Sequence, residues 1–423
     1  MPMLLGTKGN EILKWRATAE LAATLKRRLA DQWGCSSARQ AESFLGQYIG
    51  SLKAELSYEE QFLSETSILD EAIAEANLDE LQPLRTRYRE VAAAYFRRRQ
   101  SVLALFESCN NLQDRLLDRA LSMAQARMQQ PGRGSAPRYA LLVSGARGRG
   151  EETLLSENRY FLLHEEQPPG SLEFSRQLIT ALGQTGLLGA EPMFWHGSLK
   201  EWRALLDGSF PLPETEEQHY LLTPLPPFAA PQKQGPHEMP DWAWRLEALT
   251  DLCFTQGDAS LAAEALKTAT VTLQNERNRG PFLQLARRVI GLPLAVGRFG
   301  GWRLERNGEH RGELNLEELA LAPLLMTVRI LSVHVGIHTA GTVNRIKELL
   351  EKGALDVDLS ERLLKAFQCF MQLKILCEIR SEESGSFCNP EEFDEEEEVR
   401  FRSSLEAVLH LQKIAYQRMV GQG

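Results

Sequence analysis

The sequence predicts an α+β, multi-domain protein in which helical regions flank a small α/β middle domain with a small mixed sheet. Three observations predict this class. Apolar residues recur at helical spacing through residues 1–130, strand and helix patterns alternate over residues 138–268, and helical patterns return over residues 269–423. A chain of 423 residues is long enough for two to four domains.

Residues 1–130 form the predicted helical N-terminal region. The clearest helix face consists of apolar residues at spacings of three, four and seven: Val102, Leu105, Cys109, Leu112, Leu116 and Met123. The runs Glu11–Ala30 and Gln40–Leu63 have a similar amphipathic pattern. We expect these helices to contact a protein partner or to mediate self-association by dimerisation.

Residues 138–268 form the predicted α/β domain, which follows a short linker rich in turn-forming residues. Its pattern includes a helix over Leu172–Thr185. Residues 210–240 hold eight of the nineteen prolines of the chain, which excludes a regular helix or a central strand there. We expect this segment to be an extended excursion over the surface.

Residues 269–423 form the predicted C-terminal helical domain. Helical periodicity covers five segments: Phe282–Val289, Leu316–His334, Thr342–Leu350, Leu359–Arg380 and Glu395–Met419.

Composition argues against several classes of protein. The formal net charge of -9 and the isoelectric point near 5.6 disfavour a nucleic-acid or anionic-membrane binder. No segment approaches the ~20 apolar residues of a membrane span, and the N-terminus has no signal-peptide pattern. Six scattered cysteines without a CxxC motif are typical of reduced thiols, so we expect a cytoplasmic protein.

The most informative segment is Tyr139–Leu163. It predicts a buried strand (139–143), a turn containing Gly145, Gly148 and Gly150, a short helical segment, and a second strand (159–163). Glycines between a strand and a helix let the backbone approach a phosphate closely, and the first helical amides then point at it.

The order of residues 145–160, GARGRGEETLLSENRY, resembles a specific signature. It is similar to the pattern G-S-x-G-R-G-E-Q-T-L-x-T-D-Q-D-N of nucleotidyltransferases related to the N-terminal domain of the protein-PII uridylyltransferases, a group often joined to CBS or cyclic-nucleotide-binding domains. Looser matches extend the resemblance over roughly residues 100–420. The resemblance implies a nucleotide-binding loop formed by Gly145, Ala146, Gly148 and Arg149.

The resemblance also implies three metal-binding carboxylates, and the chain departs from the family at two of them. Glu157 stands at the first Asp position and Arg159 at the second, while Asp251 matches the third. Nucleotidyl transfer needs a divalent metal, and Mg²⁺ takes carboxylate oxygens. Because Arg159 is a permanent cation, it cannot ligate Mg²⁺. The Ser of the family loop is Ala146 here.

These departures favour a catalytically degenerate member with no bound metal, acting as a regulatory, nucleotide-sensing or interaction protein. Glu157 and Asp251 stand at the catalytic positions, and we hypothesise that Arg159 pairs with one or both; the alternative is that Arg159 faces solvent. A second hypothesis is an active enzyme that uses Mg²⁺ and a nucleoside triphosphate to modify a protein acceptor, with Glu151 or Glu152 supplying a further ligand. A third is a helical interaction scaffold without a ligand.

Overall fold

The computed structural model describes residues 38–130, 136–165, 170–188, 193–207, 246, 248–297, 299–381 and 387–421. The chain divides into two compact units, Met1–Ile68 and Leu69–Gly423. The predicted helix Glu11–Ala30 and the proline-rich segment 210–240 lie outside the described residues. In the described part of the chain, no helix is long and apolar enough to cross a bilayer.

From residue 38 onward, three long helices are described before the sheet: α1 (Ala38–Glu75), α2 (Leu78–Arg99) and α3 (Val102–Met128). Helix α2 begins at a capping box in which Asn77 and Glu80 satisfy each other's backbone amides. Gln100 ends it in the left-handed conformation, at φ +50°. The apolar face predicted for α3 is confirmed, because its members are buried except Met123, which packs at the edge of the core.

A four-stranded mixed sheet occupies the middle of the chain, which confirms the predicted α+β class. Its strands are β1 (Tyr139–Gly145), β2 (Asn158–His164), β3 (Met193–Ser198) and β4 (Cys253–Gly257), in the order β3-β2-β1-β4. Strand β1 pairs antiparallel with β2 and with β4, whereas β2 and β3 are parallel. Among the described residues, α4 (Ala146–Arg149), α5 (Ser171–Gln184) and α6 (Leu199–Asp207) lie between the strands in sequence, and α7 (Ala259–Gln274) follows β4.

Alternate residues of the sheet enter two different cores, as the two-residue period of a strand requires. Leu141 and Tyr160 belong to the large core that includes α2, α3, α5 and the C-terminal helices. Leu142 and Phe161 belong to a smaller core with Trp202 of α6 and with residues of α7. Both faces of the central strands are therefore covered.

Helices dominate the remainder of the chain, as predicted, and a two-stranded ladder joins them. The helices are α8 (Arg279–Ile290), α9 (Ala322–His334), α10 (Thr342–Glu351), α11 (Val357–Ser381) and α12 (Glu395–Met419), and the ladder pairs β5 (Leu314–Asn315) with β6 (Phe387–Cys388). A π-helical turn over Glu317–Leu321 leads into α9. Helix α12 starts at a capping box formed by Asp394 and Glu397.

Candidate functional site

The glycine-containing turn between β1 and β2 is the centre of the candidate site. Gly145 has φ +105° and Gly150 has φ +71°, conformations that favour glycine. Gly148 is required for another reason, because a Cβ built there would lie 1.8 Å from the backbone oxygen of Asp251. The turn therefore packs directly against the chain that leads into β4.

Asp251 is fully buried, and three guanidinium groups bind its carboxylate. Arg149 and Arg329 contact Oδ2 at 2.7 and 2.6 Å. Arg345 contacts Oδ1 at 2.9 Å. Burial by itself would raise the pKa of this carboxyl, but the positive charges of the three arginines, Arg329 first, hold the pKa well below its usual range. We call Arg149, Arg329 and Arg345 the arginine cluster.

The arginine cluster comes from separate parts of the chain. Arg149 is the last residue of α4, whereas Arg329 lies on α9 and Arg345 on α10. Arg345 also donates to the backbone oxygen of Thr250, at 2.6 Å. The C-terminal helices therefore contribute two of the three cations that surround an acid of the sheet region.

Glu151 extends this network to the start of a helix. Its Oε2 accepts from Nε of Arg149 at 2.6 Å, and its Oε1 accepts from the backbone amide of Thr342, the first residue of α10. An anion at a helix N-terminus is stabilised by unpaired amides and by the helix dipole. Glu151 therefore provides a second connection between the turn and α10, in addition to the arginine cluster.

Arg147 points to the N-terminal helices instead. Its guanidinium forms a bidentate pair with Asp114 of α3, with N–O distances of 2.7 to 2.8 Å. Asn110 of the same helix donates to the backbone oxygen of Gly150 at 2.9 Å. The backbone amide of Arg147 donates to Oδ1 of Asn158 at 2.9 Å. The two arginines and one amide of the turn are thus engaged in contacts within the protein.

Another buried acid, Glu378 of α11, contacts the segment that follows the turn. Its Oε1 accepts from Oγ1 of Thr153 at 2.8 Å. Burial raises the pKa of Glu378 to about 7, although Lys374 and the hydrogen bond from Thr153 act in the opposite direction. Burial therefore favours the protonated, neutral form of this carboxyl.

Two family models match the chain. One, described as "Putative nucleotidyltransferase DUF294", matches residues 86–216, and the other, described as "Putative nucleotidyltransferase substrate binding domain", matches residues 279–419. Together they cover nearly two thirds of the chain. The chain belongs to this family of putative nucleotidyltransferases. No curated protein matches the chain.

The two DUF294 segments meet at Asp251, which lies between them in sequence. Arg149 belongs to the nucleotidyltransferase segment, and Arg329 and Arg345 belong to the substrate-binding segment. Because all three bind one carboxylate, the arginine cluster and Asp251 connect the two segments of the family.

The structure brings some of the residues expected at the nucleotidyltransferase site into direct contact. Gly148, Arg149 and Asp251 are in direct contact. Glu157 is exposed at the residue before β2, and Ala146 is the first residue of α4. Arg159 is half-buried on β2, where it pairs in register with Ser144.

The motif favours Arg159 as a cation that pairs with Glu157, Asp251 or both, or else faces solvent. Among the described residues, Arg149, Arg329 and Arg345 bind Asp251. The sequence did contain a signal that Arg329 is paired. This residue interrupts a run of apolar residues, ALAPLLMTVRILSV, and a cation inside such a run needs a partner. The sequence around Arg345 carries no comparable signal.

The family implies a Mg²⁺ site, and the residues present do not fit one. Both oxygens of Asp251 accept hydrogen bonds from guanidinium groups, and the resemblance aligns Arg159, a cation, with one of the expected ligands. Among the described residues, no group of three or more His, Cys, Asp or Glu side chains could hold a metal ion. An ion at Asp251 would meet three fixed positive charges in a buried environment.

Proposed function

We propose that this DUF294 protein has lost nucleotidyl transfer and acts as a regulatory or interaction protein, similar to the protein-PII uridylyltransferases in its loop but not in its chemistry. The observation that carries the proposal is the binding of both Asp251 oxygens by the arginine cluster. The scattered cysteines and the acidic composition favour the cytoplasm as its location.

Loss of transfer follows from the charges at the site. A nucleotidyltransferase holds metal on carboxylates so that the ion neutralises the triphosphate and activates the attacking hydroxyl. Arginine keeps its charge at any physiological pH, and a guanidinium paired with a carboxylate occupies the oxygens that a metal would bind. Mg²⁺ could reach Asp251 only if the buried ion pairs with the arginine cluster were broken. Breaking such a pair is strongly unfavourable, because it leaves a buried charge without its partner.

The state of the turn favours an interaction protein over a nucleotide sensor. A phosphate at Gly145–Gly150 would compete with Asn158 for the amide of Arg147. It would also compete with Asp114 for the guanidinium of Arg147 and with Asp251 and Glu151 for that of Arg149. Groups that a phosphate-binding loop offers to its ligand are already used within the chain.

The proposed contact surface lies on α1. Ile49 and Leu56 are 49% and 40% exposed, and their spacing of seven places them on one face of the helix. Exposed apolar residues that share a helix face are typical of helix–helix association. We expect this face to bind a second copy of the chain.

Calorimetry with four nucleotides tests the loss of chemistry. ATP, UTP, GTP and CTP are titrated into the wild type with and without Mg²⁺, beginning with UTP because of the uridylyltransferase resemblance. Transfer of an α-³²P-labelled nucleotide to proteins of a cell extract is measured in parallel. We expect neither Mg²⁺-dependent binding nor labelling. Binding without Mg²⁺ would make the protein a nucleotide sensor, and Mg²⁺-dependent binding with labelling would overturn the proposal.

Light scattering tests the contact surface separately. The wild type is compared with the double variant Ile49→Glu and Leu56→Glu over a range of concentrations. We expect the wild type to self-associate and the double variant to be monomeric. Ser51→Glu adds a charge at an exposed position on the other side of α1 and is the matched control. A monomeric wild type would refute self-association through α1 while leaving the nucleotide result unaffected.

A further inference from the structure

A phenylalanine is fully exposed at the tip of a turn in the C-terminal region. Phe299 is 99% exposed, the largest exposed fraction among the large apolar side chains that the structure describes. A single exposed apolar residue is ordinary in a protein surface. An aromatic residue that is held in place beside other exposed apolar residues is instead typical of a contact surface.

The turn that carries Phe299 is closed by main-chain contacts. Val296 and Trp302 pair as an antiparallel bridge at its base. Inside the turn, the amide of Gly297 donates to the backbone oxygen of Gly301 at 2.8 Å. Phe299 therefore projects from a short hairpin whose two arms are joined on either side of it.

Helix α12 holds the same turn by side-chain contacts. Nη1 of Arg402 donates to the backbone oxygen of Gly300 at 2.9 Å, and the guanidinium carbon lies 4.1 Å from the ring centroid of Trp302. The Trp302 ring also packs against Phe401, with the ring centroids 5.7 Å apart. Because the backbone next to Phe299 is held in this way, binding through Phe299 would cost little ordering of the turn.

A second exposed apolar residue lies beside the turn. Val399 is 63% exposed on α12, and it precedes Arg402 by three residues, so the two side chains share one side of the helix. Arg402 contacts Gly300, the neighbour of Phe299. Phe299 and Val399 therefore border one surface, and we call them the apolar pair.

The α12 side of this surface is acidic. Glu395 and Glu396 are exposed, and they precede Val399 by four and three residues on the same side of the helix. The segments 295–303 and 391–402 together contain seven acids and four bases. The apolar pair is therefore bordered by an excess of negative charge.

We propose that the apolar pair and the adjacent acids of α12 form a docking surface for a basic peptide segment of another protein that also carries apolar residues. Phe299 and Val399 contact the apolar residues of that segment, and Glu395 and Glu396 attract its lysines or arginines. Complementary charge selects such a partner and speeds its association.

Charge also argues against other occupants of this surface. A second copy of the chain brings a net charge of -9, and nucleic acids are polyanions, so both meet like charge at the start of α12. The surface extends the proposed interaction role to a second partner. Its test involves neither a nucleotide nor the exposed face of α1.

Three synthetic peptides of equal length test the proposal on the full-length protein. One combines lysine with leucine, the second has glutamate in place of lysine, and the third has serine in place of leucine. Fluorescence anisotropy of the labelled peptides measures the dissociation constants at a fixed salt concentration. We expect only the lysine–leucine peptide to bind. Failure of that peptide to bind would overturn the proposal, and so would equal binding of the lysine–serine peptide.

Variants locate the binding surface. Phe299→Ser changes no charge and should weaken binding of the lysine–leucine peptide by about tenfold or more, as loss of a central aromatic contact does. Val271→Ser is the matched control, because Val271 is 55% exposed on α7, and it should leave the affinity unchanged. Equal affinities of the wild type and Phe299→Ser would overturn the proposal.

The acids of α12 are tested in the same assay. Glu395→Gln with Glu396→Gln should weaken binding of the lysine–leucine peptide and reduce the dependence of its affinity on salt, because fewer charges remain to be screened. An unchanged affinity with an unchanged salt dependence would overturn the charge part of the proposal. Circular dichroism of each variant verifies that the fold is intact.

Discussion

Nη2 of Arg329 lies 2.6 Å from Oδ2 of Asp251, and this buried ion pair joins α9 to the chain that enters β4. Family resemblance assigns a metal-binding role to this acid. In the structure, its carboxylate instead connects the nucleotidyltransferase segment to the substrate-binding segment. Substitutions at Asp251 should therefore affect the stability of the fold, whether or not any chemistry occurs there.

Asp251→Asn should strongly destabilise the protein. The substitution removes the negative charge, so the three buried guanidinium groups of the arginine cluster lose the carboxylate that they share. Removing one partner of a buried ion pair costs about 3–5 kcal/mol. Urea denaturation followed by circular dichroism measures the change in the free energy of unfolding. Asp358→Asn changes an aspartate whose side chain is 82% exposed, and it should cost less than about 1 kcal/mol.

The difference in stability between the wild type and Asp251→Asn should depend on pH. Because the pKa of Asp251 is lower in the folded state than in the unfolded state, its stabilising contribution is present above the unfolded pKa of about 3.9. That contribution is lost as the pH falls through the folded value. The wild type should therefore lose its advantage over Asp251→Asn in strong acid. A difference in stability that did not change with pH would contradict this account of the ion pair.

Gly148→Ala should destabilise the turn by overpacking. The new methyl group would meet the backbone oxygen of Asp251 at 1.8 Å, so the chain before β4 would have to move. Overpacking of a well-packed interior costs about 1–3 kcal/mol and occasionally more. The midpoint of urea unfolding measures the loss.

Gly183→Ala is the matched control for that variant. Gly183 lies inside α5, and a Cβ built there meets nothing within 4 Å. Alanine in an exposed helix interior should stabilise the protein by about 0.5–1 kcal/mol. Equal effects of the two substitutions would show that the close approach of Gly148 to Asp251 has no energetic weight.

The local elements could be predicted from the sequence because their signals are local. The predicted and observed bounds of α12 coincide, and Asp394 and Glu397 supply a capping box at its start. Strands β1 and β2 were also predicted to within two residues at each end, since each is a short apolar run next to a turn. Periodicity and caps depend on a few neighbouring residues, and one sequence contains that information.

The arginine cluster could not be predicted in the same way. Arg329 and Arg345 are 78 and 94 residues from Asp251 along the chain. Their meeting depends on how α9 and α10 pack on the sheet region, and residue spacing carries no information on that packing. The motif did identify Asp251 as a residue of interest, and it suggested Arg159 as a cation that pairs with Glu157, Asp251 or both, because Arg159 replaces a family carboxylate.

Restoring the family carboxylates should not restore the family chemistry. In the double variant Glu157→Asp and Arg159→Asp, both positions match the Asp residues of the motif, but the arginine cluster still occupies Asp251. We expect no Mg²⁺-dependent nucleotide binding by calorimetry and no label transfer. Glu157→Gln with Arg159→Gln is the control, because it removes the cation at position 159 without supplying a carboxylate there. A gain of Mg²⁺-dependent UTP binding in the Asp variant alone would show that Arg159 is the group that excludes the metal.

Glu378→Gln should change the dependence of stability on pH. The pKa of Glu378 is about 7 in the folded protein, well above the value near 4.3 expected when unfolded. Below that unfolded value the side chain is protonated in both states, so its burial carries no charge penalty. As the pH rises towards 7, only the unfolded state ionises, and the folded state loses relative stability by up to about 1.4 kcal/mol per pH unit.

The amide of Glu378→Gln cannot ionise and can still accept the hydrogen bond from Thr153. The variant should therefore gain stability relative to the wild type between pH 4.5 and pH 7, and the difference should then level off. Urea unfolding at several pH values measures this difference. Glu406→Gln removes an exposed carboxylate from α12 and controls for the change in net charge. The free energies of unfolding of both variants and of the wild type could instead run in parallel across this pH range. Glu378 would then have to be ionised within the fold, with a cation close enough to balance its charge.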